Sequence, residues 1–93
     1  MKSETLTAIL KNDLKATADD RRWTLPAGTR ITVFLATPIA LFPVGKVTAL
    51  TLGESYITLE SDEGRIYTDQ SEIAAIRVDQ EASSRESKLG FGN

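Results

Sequence analysis

The sequence predicts a mainly β fold, in which an N-terminal α-helix precedes a small, strongly bent barrel of five antiparallel strands. Three observations lead to this prediction. Apolar residues first recur at helical spacing, and then alternate with polar residues, between turn signals, over residues 29–78. Because 93 residues have room for one hydrophobic core, we expect a single domain over residues 1–78. The remaining residues, 79–93, are predicted to form a polar, flexible tail.

The helix is predicted from about residue 4 to about residue 18. Ser3 is the expected N-cap, because a serine hydroxyl can accept a hydrogen bond from an unpaired amide of the first turn. The apolar stripe of the helix is formed by Leu6, Ile9, Leu10 and Leu14. Since this stripe is narrow, we expect the helix to rest on the barrel rather than to stand alone.

The five strands are predicted from apolar alternation between turn residues. Their expected bounds are residues 29–37, 46–52, 56–60, 65–68 and 73–78. In the second strand the apolar positions change phase between Ala49 and Leu50, which indicates a bend or bulge that lets the sheet curl. The third and fourth strands are joined by Asp62-Glu63-Gly64, which is typical of a hairpin turn.

Composition excludes several kinds of site. The chain contains no cysteine and no histidine, so disulfides, thiolate sites and imidazole chemistry are ruled out. We therefore predict no catalytic site, no cofactor and no metal centre. Glu60, Asp62 and Glu63 cluster at one turn, where a solvated hairpin tip is favoured over a weak metal site.

The partner classes are also limited by charge and hydropathy. The formal net charge is −2, so the overall charge does not attract the chain to nucleic acid or to an acidic membrane. No apolar run approaches the roughly 20 residues that span a bilayer. The first 15 residues mix charged and apolar side chains, unlike a signal peptide. These features predict a cytoplasmic protein without membrane contact.

The order and spacing of these elements resemble the Sm-like family, which includes the Hfq branch of bacteria. The match covers roughly residues 4–78. In the first motif it consists of the alternating residues Ile31, Val33 and Leu35, then Gly45, Val47 and Leu50, then Ile57 and Leu59. In the second motif it consists of Ile66-Tyr67-Thr68, the polar turn Asp69-Gln70-Ser71 and the closing strand from Ile73 to Val78.

The resemblance implies a non-catalytic SH3-like barrel that forms a homo-oligomeric ring. In such a ring the fourth strand of one subunit pairs with the fifth strand of the next, which satisfies both open edges of the barrel. The family range is about five to seven subunits per ring. The alternative is a monomer whose strand edges are capped.

The resemblance also implies association with single-stranded RNA. Tyr56 aligns with the base-reading position of the third strand, and the turn residues Thr68, Asp69, Gln70 and Ser71 could hydrogen-bond base edges. The alternative for Tyr56 is a half-buried cross-strand contact. The family's Arg or Lys signature is absent from this turn, where Asp69 and Glu72 would repel phosphate.

Two further groups are candidate binding residues. Arg21 and Arg22 form a basic cluster beside Trp23, with salt bridges to Asp19 and Asp20 as the alternative. The apolar residues of the first barrel hairpin are Ile39, Leu41 and Phe42. They predict either a contact with a partner or another ring, or side chains that fold back over the barrel end. The competing function is therefore a structural or adaptor ring, bacterial or phage, that binds protein through the hairpin at 38–43.

Overall fold

The structure, a computed structural model, describes residues 1–81. The protein is mainly β with one N-terminal helix, and its strands pair antiparallel. The sheet has seven strands where five were predicted. They are β1 (Thr17–Asp19), β2 (Arg22–Thr24), β3 (Arg30–Ala36), β4 (Leu41–Leu52), β5 (Ile57–Ser61), β6 (Gly64–Thr68) and β7 (Ile73–Gln80).

The five predicted strands correspond to β3–β7, which lie in the order β7-β3-β4-β5-β6. A short 3-10 helix, Gln70–Glu72, joins β6 to β7. Within the described residues, β6 pairs with β5 and β7 pairs with β3, and no ladder joins β6 to β7. The sheet is therefore curved but not closed.

The helix is shorter than predicted. Helix α1 spans Ser3–Ala8 and continues as a π-helical segment, Ile9–Asp13, so the predicted end near residue 18 was wrong. The turn after it contains Lys15 in the left-handed conformation (φ 58°), a position that is more often glycine. Ser3 is not the N-cap: Lys2 is, without a side-chain hydrogen bond, and the Ser3 hydroxyl accepts from Gln70.

Strands β1 and β2 form a hairpin that the sequence did not predict. Asp19 pairs with Arg22, so Asp20 and Arg21 form a two-residue turn. Asp20 has a positive φ of 62°, which aspartate tolerates better than most residues. Strand β2 then pairs with the second half of β4, from Ala49 to Thr51. It lies beside β4 past the point where the pairing of β4 with β3 stops.

Strand β4 begins at Leu41 rather than at residue 46, and it carries the predicted bend. Between the pairs Ile31↔Val47 and Val33↔Val44, β4 has one residue more than β3. A second extra residue lies between Val47 and Ala49, opposite β5. These bulges change which face of β4 is buried, as the phase change of its apolar residues indicated.

The core lies between the helix and the inner face of the curved sheet. Its members from β3 were predicted, and Ile31 and Val33 are fully buried. The helix contributes the predicted stripe, except that Ile9 is partly buried. The fully or nearly fully buried apolar side chains are Leu6, Leu10, Leu14, Leu25, Ile31, Val33, Leu35, Val44, Val47, Ala49, Leu50, Ile57, Leu59 and Ile73.

Strand β7 is longer than predicted and takes up the first residues assigned to the tail. Asp79 accepts a hydrogen bond from the buried Thr32 hydroxyl (2.5 Å) and another from Arg77, and both lower the pKa of its carboxyl group. Gln80 pairs with Arg30. The rest of the predicted tail, from residue 82 onward, lies outside the described residues. In residues 1–81, no helix has the length and apolar character needed to cross a bilayer.

Candidate functional site

Two tyrosines, one directly before β5 and one in β6, form an exposed aromatic pair. The rings of Tyr56 and Tyr67 meet edge to face, with centroids 5.8 Å apart and an interplanar angle of 80°. Each side chain remains more than half exposed, and together they line a cavity of about 320 Å³. Tyr56 thus makes a contact with a neighbouring strand and also presents its ring to solvent. We call Tyr56 and Tyr67 the tyrosine pair.

A tight turn fixes the position of Tyr56. The amide of Gly53 donates a hydrogen bond to the Tyr56 carbonyl at 3.0 Å. A Cβ atom at position 53 would lie 2.8 Å from that carbonyl oxygen, which is closer than a side chain allows. Glycine is therefore required here by the close approach of two backbone segments.

Tyr56 also lines a second cleft, of about 300 Å³. Its lining includes Thr51, Gly53, Ser55 and Thr58, and it is bounded by an ion pair between Arg21 and Glu54 (3.2 Å). Because the tyrosine pair and this cleft share Tyr56, they form one continuous surface. That surface combines aromatic faces with hydroxyl groups, one guanidinium and one carboxylate.

The two arginines of the predicted basic cluster form ion pairs with glutamates and not with Asp19 and Asp20, the alternative partners. Arg21 binds Glu54, and Arg22 binds Glu60 through two hydrogen bonds of 2.9 and 2.8 Å. The hydrogen bond from Arg22 lowers the pKa of Glu60 against the opposing effect of burial. Both guanidinium charges are thus balanced by glutamates, one in the turn before β5 and one in β5.

The predicted polar turn, residues 68–71, is largely occupied by contacts within the chain. Thr68 is buried and donates to Glu72 at 3.0 Å. The Asp69 carboxylate accepts from the Ser71 amide and hydroxyl, both at 3.2 Å. The side-chain amide of Gln70 donates to the Ser3 hydroxyl (2.8 Å) and to the Met1 carbonyl (3.2 Å). This turn therefore anchors the N-terminal segment to the sheet.

The apolar hairpin between β3 and β4 is exposed. The exposed fraction is 92% for Ile39, 56% for Leu41 and 52% for Phe42. These side chains do not fold back over the barrel end, which was one of the two alternatives. We call these three residues the hairpin patch.

The acidic turn is used for ion pairs. Its carboxylates, Glu60, Asp62 and Glu63, bind Arg22, Arg30 and Lys46 respectively. Within residues 1–81, no group of three or more carboxylates is placed to hold a metal ion. The arrangement is that of a solvated hairpin stabilised by neighbouring cations.

The predicted binding residues did not include Tyr67, Glu54 or Glu60. A signal for Tyr67 was present, because the turn at Asp62-Glu63 pairs Ser61 with Gly64 and places Thr58 opposite Tyr67. Tyr56 is then its diagonal neighbour across the hairpin. The glutamate partners of the arginines gave no comparable signal, since β2 was not predicted.

No protein family, curated protein or solved structure matches this chain.

Proposed function

We propose that this protein is a non-catalytic, Sm-like subunit that assembles with its own copies into a ring of about five to seven subunits and binds single-stranded RNA. The strand order β7-β3-β4-β5-β6, the bent β4 and the 3-10 helix before β7 support the Sm-like part of the proposal. The exposed tyrosine pair carries the RNA part.

Self-association is favoured by the condition of the sheet edges. Among the described strands, β6 and β7 each have one unpaired edge, and they are five and eight residues long. Strand β1 has three residues, and the open half of β4 contains Pro43, which has no amide to donate. Pairing of β6 with β7 of a neighbour is therefore the favoured way to satisfy unpaired backbone groups.

Apolar side chains at the same edges agree with this pairing. Val78 on β7 is 41% exposed, and Ile66 on β6 and Ile76 on β7 are half-buried at the margin of the core. A neighbouring subunit would cover these side chains as it completes the ladder. A small core gains stability from such coverage.

RNA would be held mainly by stacking. An aromatic ring contributes about 1–3 kcal/mol per stacked base, and a ring of subunits repeats the contact at each copy. Because Arg21 and Arg22 are bound to glutamates, phosphate capture is a minor part of the interaction. We therefore expect affinity to fall only slightly with added salt, in contrast to proteins that neutralise many phosphates.

The test is fluorescence anisotropy with labelled oligo-U and oligo-A, at low and high salt. We expect binding in the micromolar range, a loss of at least about fivefold for Tyr56→Ala, and little change for Tyr56→Phe, which keeps the ring. Phe42→Ser is the matched control, because it removes an equally exposed aromatic ring from another surface. Absence of binding by either oligonucleotide at low salt would show that the RNA proposal is wrong.

A structural or adaptor ring is the second candidate, and the exposed hairpin patch favours it. The two candidates are separated by the same variants. If RNA does not bind and Phe42→Ser changes the assembly, the hairpin is the functional surface. If RNA binds and Tyr56→Ala weakens that binding while Phe42→Ser does not, the tyrosine pair is the functional surface.

A further inference from the structure

The hairpin patch is held in a defined shape rather than on a loose loop. The Thr37 amide donates to the Ala40 carbonyl at 2.9 Å, and the Ala40 amide donates to the Thr37 hydroxyl at 3.0 Å. The side chains at the tip are thus presented in a fixed arrangement. A preformed surface loses little conformational entropy when it binds.

The hairpin also carries no charge. Residues 31–45 contain no Asp, Glu, Lys or Arg, and the hairpin patch lies inside this segment. A surface of this kind offers nothing to a phosphate backbone or to a charged peptide. It meets no like-charge repulsion against an identical copy, so a self-complementary contact about a two-fold axis is permitted.

The position of the hairpin keeps it clear of the proposed ring contacts. Leu35↔Ile73 is the last β3–β7 pair, so residues 37–40 project beyond the end of β7. Ring neighbours would meet along the edges of β6 and β7. Cyclic symmetry then places every hairpin patch at the same height on the ring, beyond the strand ends.

We infer that the hairpin patch joins two rings of this protein, each patch packing against a patch of the opposite ring. Three side chains are too few for a stable contact between two single chains, since specific interfaces bury about 1,200 Å² or more. A ring multiplies the contact by its number of subunits, which converts a weak interaction into a stable one. The inference rests on the proposed ring. Pro43 removes an amide from the open edge of β4, so the contact uses side chains rather than a continuous sheet.

Light scattering coupled to size exclusion tests this directly, with the wild type, Ile39→Asp and Leu41→Ser. We expect both variants to have half the mass of the wild type, because they separate two rings without disturbing either. Ile39 is 92% exposed, so its replacement does not affect the core. Tyr56→Ser is the matched control, which changes an exposed side chain on a different surface and keeps the wild-type mass.

The outcomes separate this inference from the proposed function. A wild type and an Ile39→Asp variant of equal mass would overturn the inference, whatever the number of subunits. A wild-type ring that instead floats with neutral phosphatidylcholine vesicles, and loses this property in Ile39→Asp, would overturn it in favour of a lipid contact. A wild type of two copies that becomes one copy in Ile39→Asp would refute the proposed ring, and it would overturn the inference that the patch joins two rings.

Discussion

Arg22 of β2 and Glu60 of β5 form a two-point ion pair across β4, with Nε–Oε2 and Nη2–Oε1 distances of 2.9 and 2.8 Å. Both strands pair with β4 at Ala49, through Thr24 on one side and Glu60 on the other. The ion pair therefore fastens the added β1–β2 hairpin to β5 of the sheet. A two-point geometry of this kind makes strong hydrogen bonds.

This ion pair predicts a dependence of stability on pH. Because the Arg22 hydrogen bond lowers the pKa of Glu60 in the folded state, its contribution is present above the carboxyl pKa of the unfolded chain. It is lost as the pH falls below about 4. We expect Glu60→Gln to lower stability near neutral pH and to flatten the acid dependence, as measured by urea unfolding from about pH 3 to about pH 7.

Glu63→Gln is the control for that measurement. The pair between Glu63 and Lys46 is longer, at 3.6 Å, and both side chains are more than 60% exposed. Exposed pairs of this kind contribute little to stability. An equal effect of the two substitutions would contradict the role given to Arg22 and Glu60.

Leu10→Ala tests whether the helix belongs to the core. Leu10 is fully buried together with side chains of the sheet, so its truncation is expected to lower the free energy of unfolding by about 2–5 kcal/mol. Lys11→Ala, on the exposed face, is expected to have little effect. If the helix packs loosely, chemical denaturation would instead show a similar, small loss in the free energy of unfolding for both variants.

Substitutions at Lys46 and Gly45 test which of these two neighbouring positions favours glycine. Lys46 adopts the left-handed conformation (φ 56°), so Lys46→Gly is expected to stabilise the fold by up to about 1 kcal/mol. A Cβ atom on Gly45 would lie 3.7 Å from the Thr32 hydroxyl, an ordinary contact, so Gly45→Ala is expected to be tolerated. Thermal unfolding of both variants checks this, and a severe loss in Gly45→Ala would contradict it.

Gly53→Ala is expected to disturb the tyrosine pair through the backbone. The added Cβ would lie 2.8 Å from the Tyr56 carbonyl oxygen, so the turn must shift, at a cost of about 1–3 kcal/mol. RNA binding should weaken together with stability, whereas Tyr56→Ala should weaken RNA binding more than stability. Unfolding and anisotropy measured on both variants distinguish these effects, and unchanged stability of Gly53→Ala would contradict the proposed clash.

The strands that were predicted are those with clear alternation. Ile31 and Val33 of β3 face the core, and the predicted hairpin turn at Asp62-Glu63-Gly64 forms, with a positive φ at Gly64. Strands β1 and β2 have three residues each, which is too short for a period of two to be recognised. The helix end was misplaced because Lys15 occupies the left-handed position where glycine is the usual signal.

The candidate site was predicted only in part because its partners come from tertiary structure. Tyr56 was a candidate through the resemblance to the Sm-like family, but its contact with Tyr67 depends on the register of the β5–β6 hairpin. For Arg21 and Arg22 only neighbours in sequence were considered as ion-pair partners, whereas their glutamate partners are distant in sequence. Local sequence therefore predicted the residue types of the site and not its charge balance.

Sedimentation equilibrium on the wild-type protein tests the central claim most directly, namely that the unpaired edges of β6 and β7 are joined by further copies. We predict a particle of at least about five copies of the 10.1 kDa chain, unchanged on moderate dilution. A single 10.1 kDa species at every concentration would contradict the account.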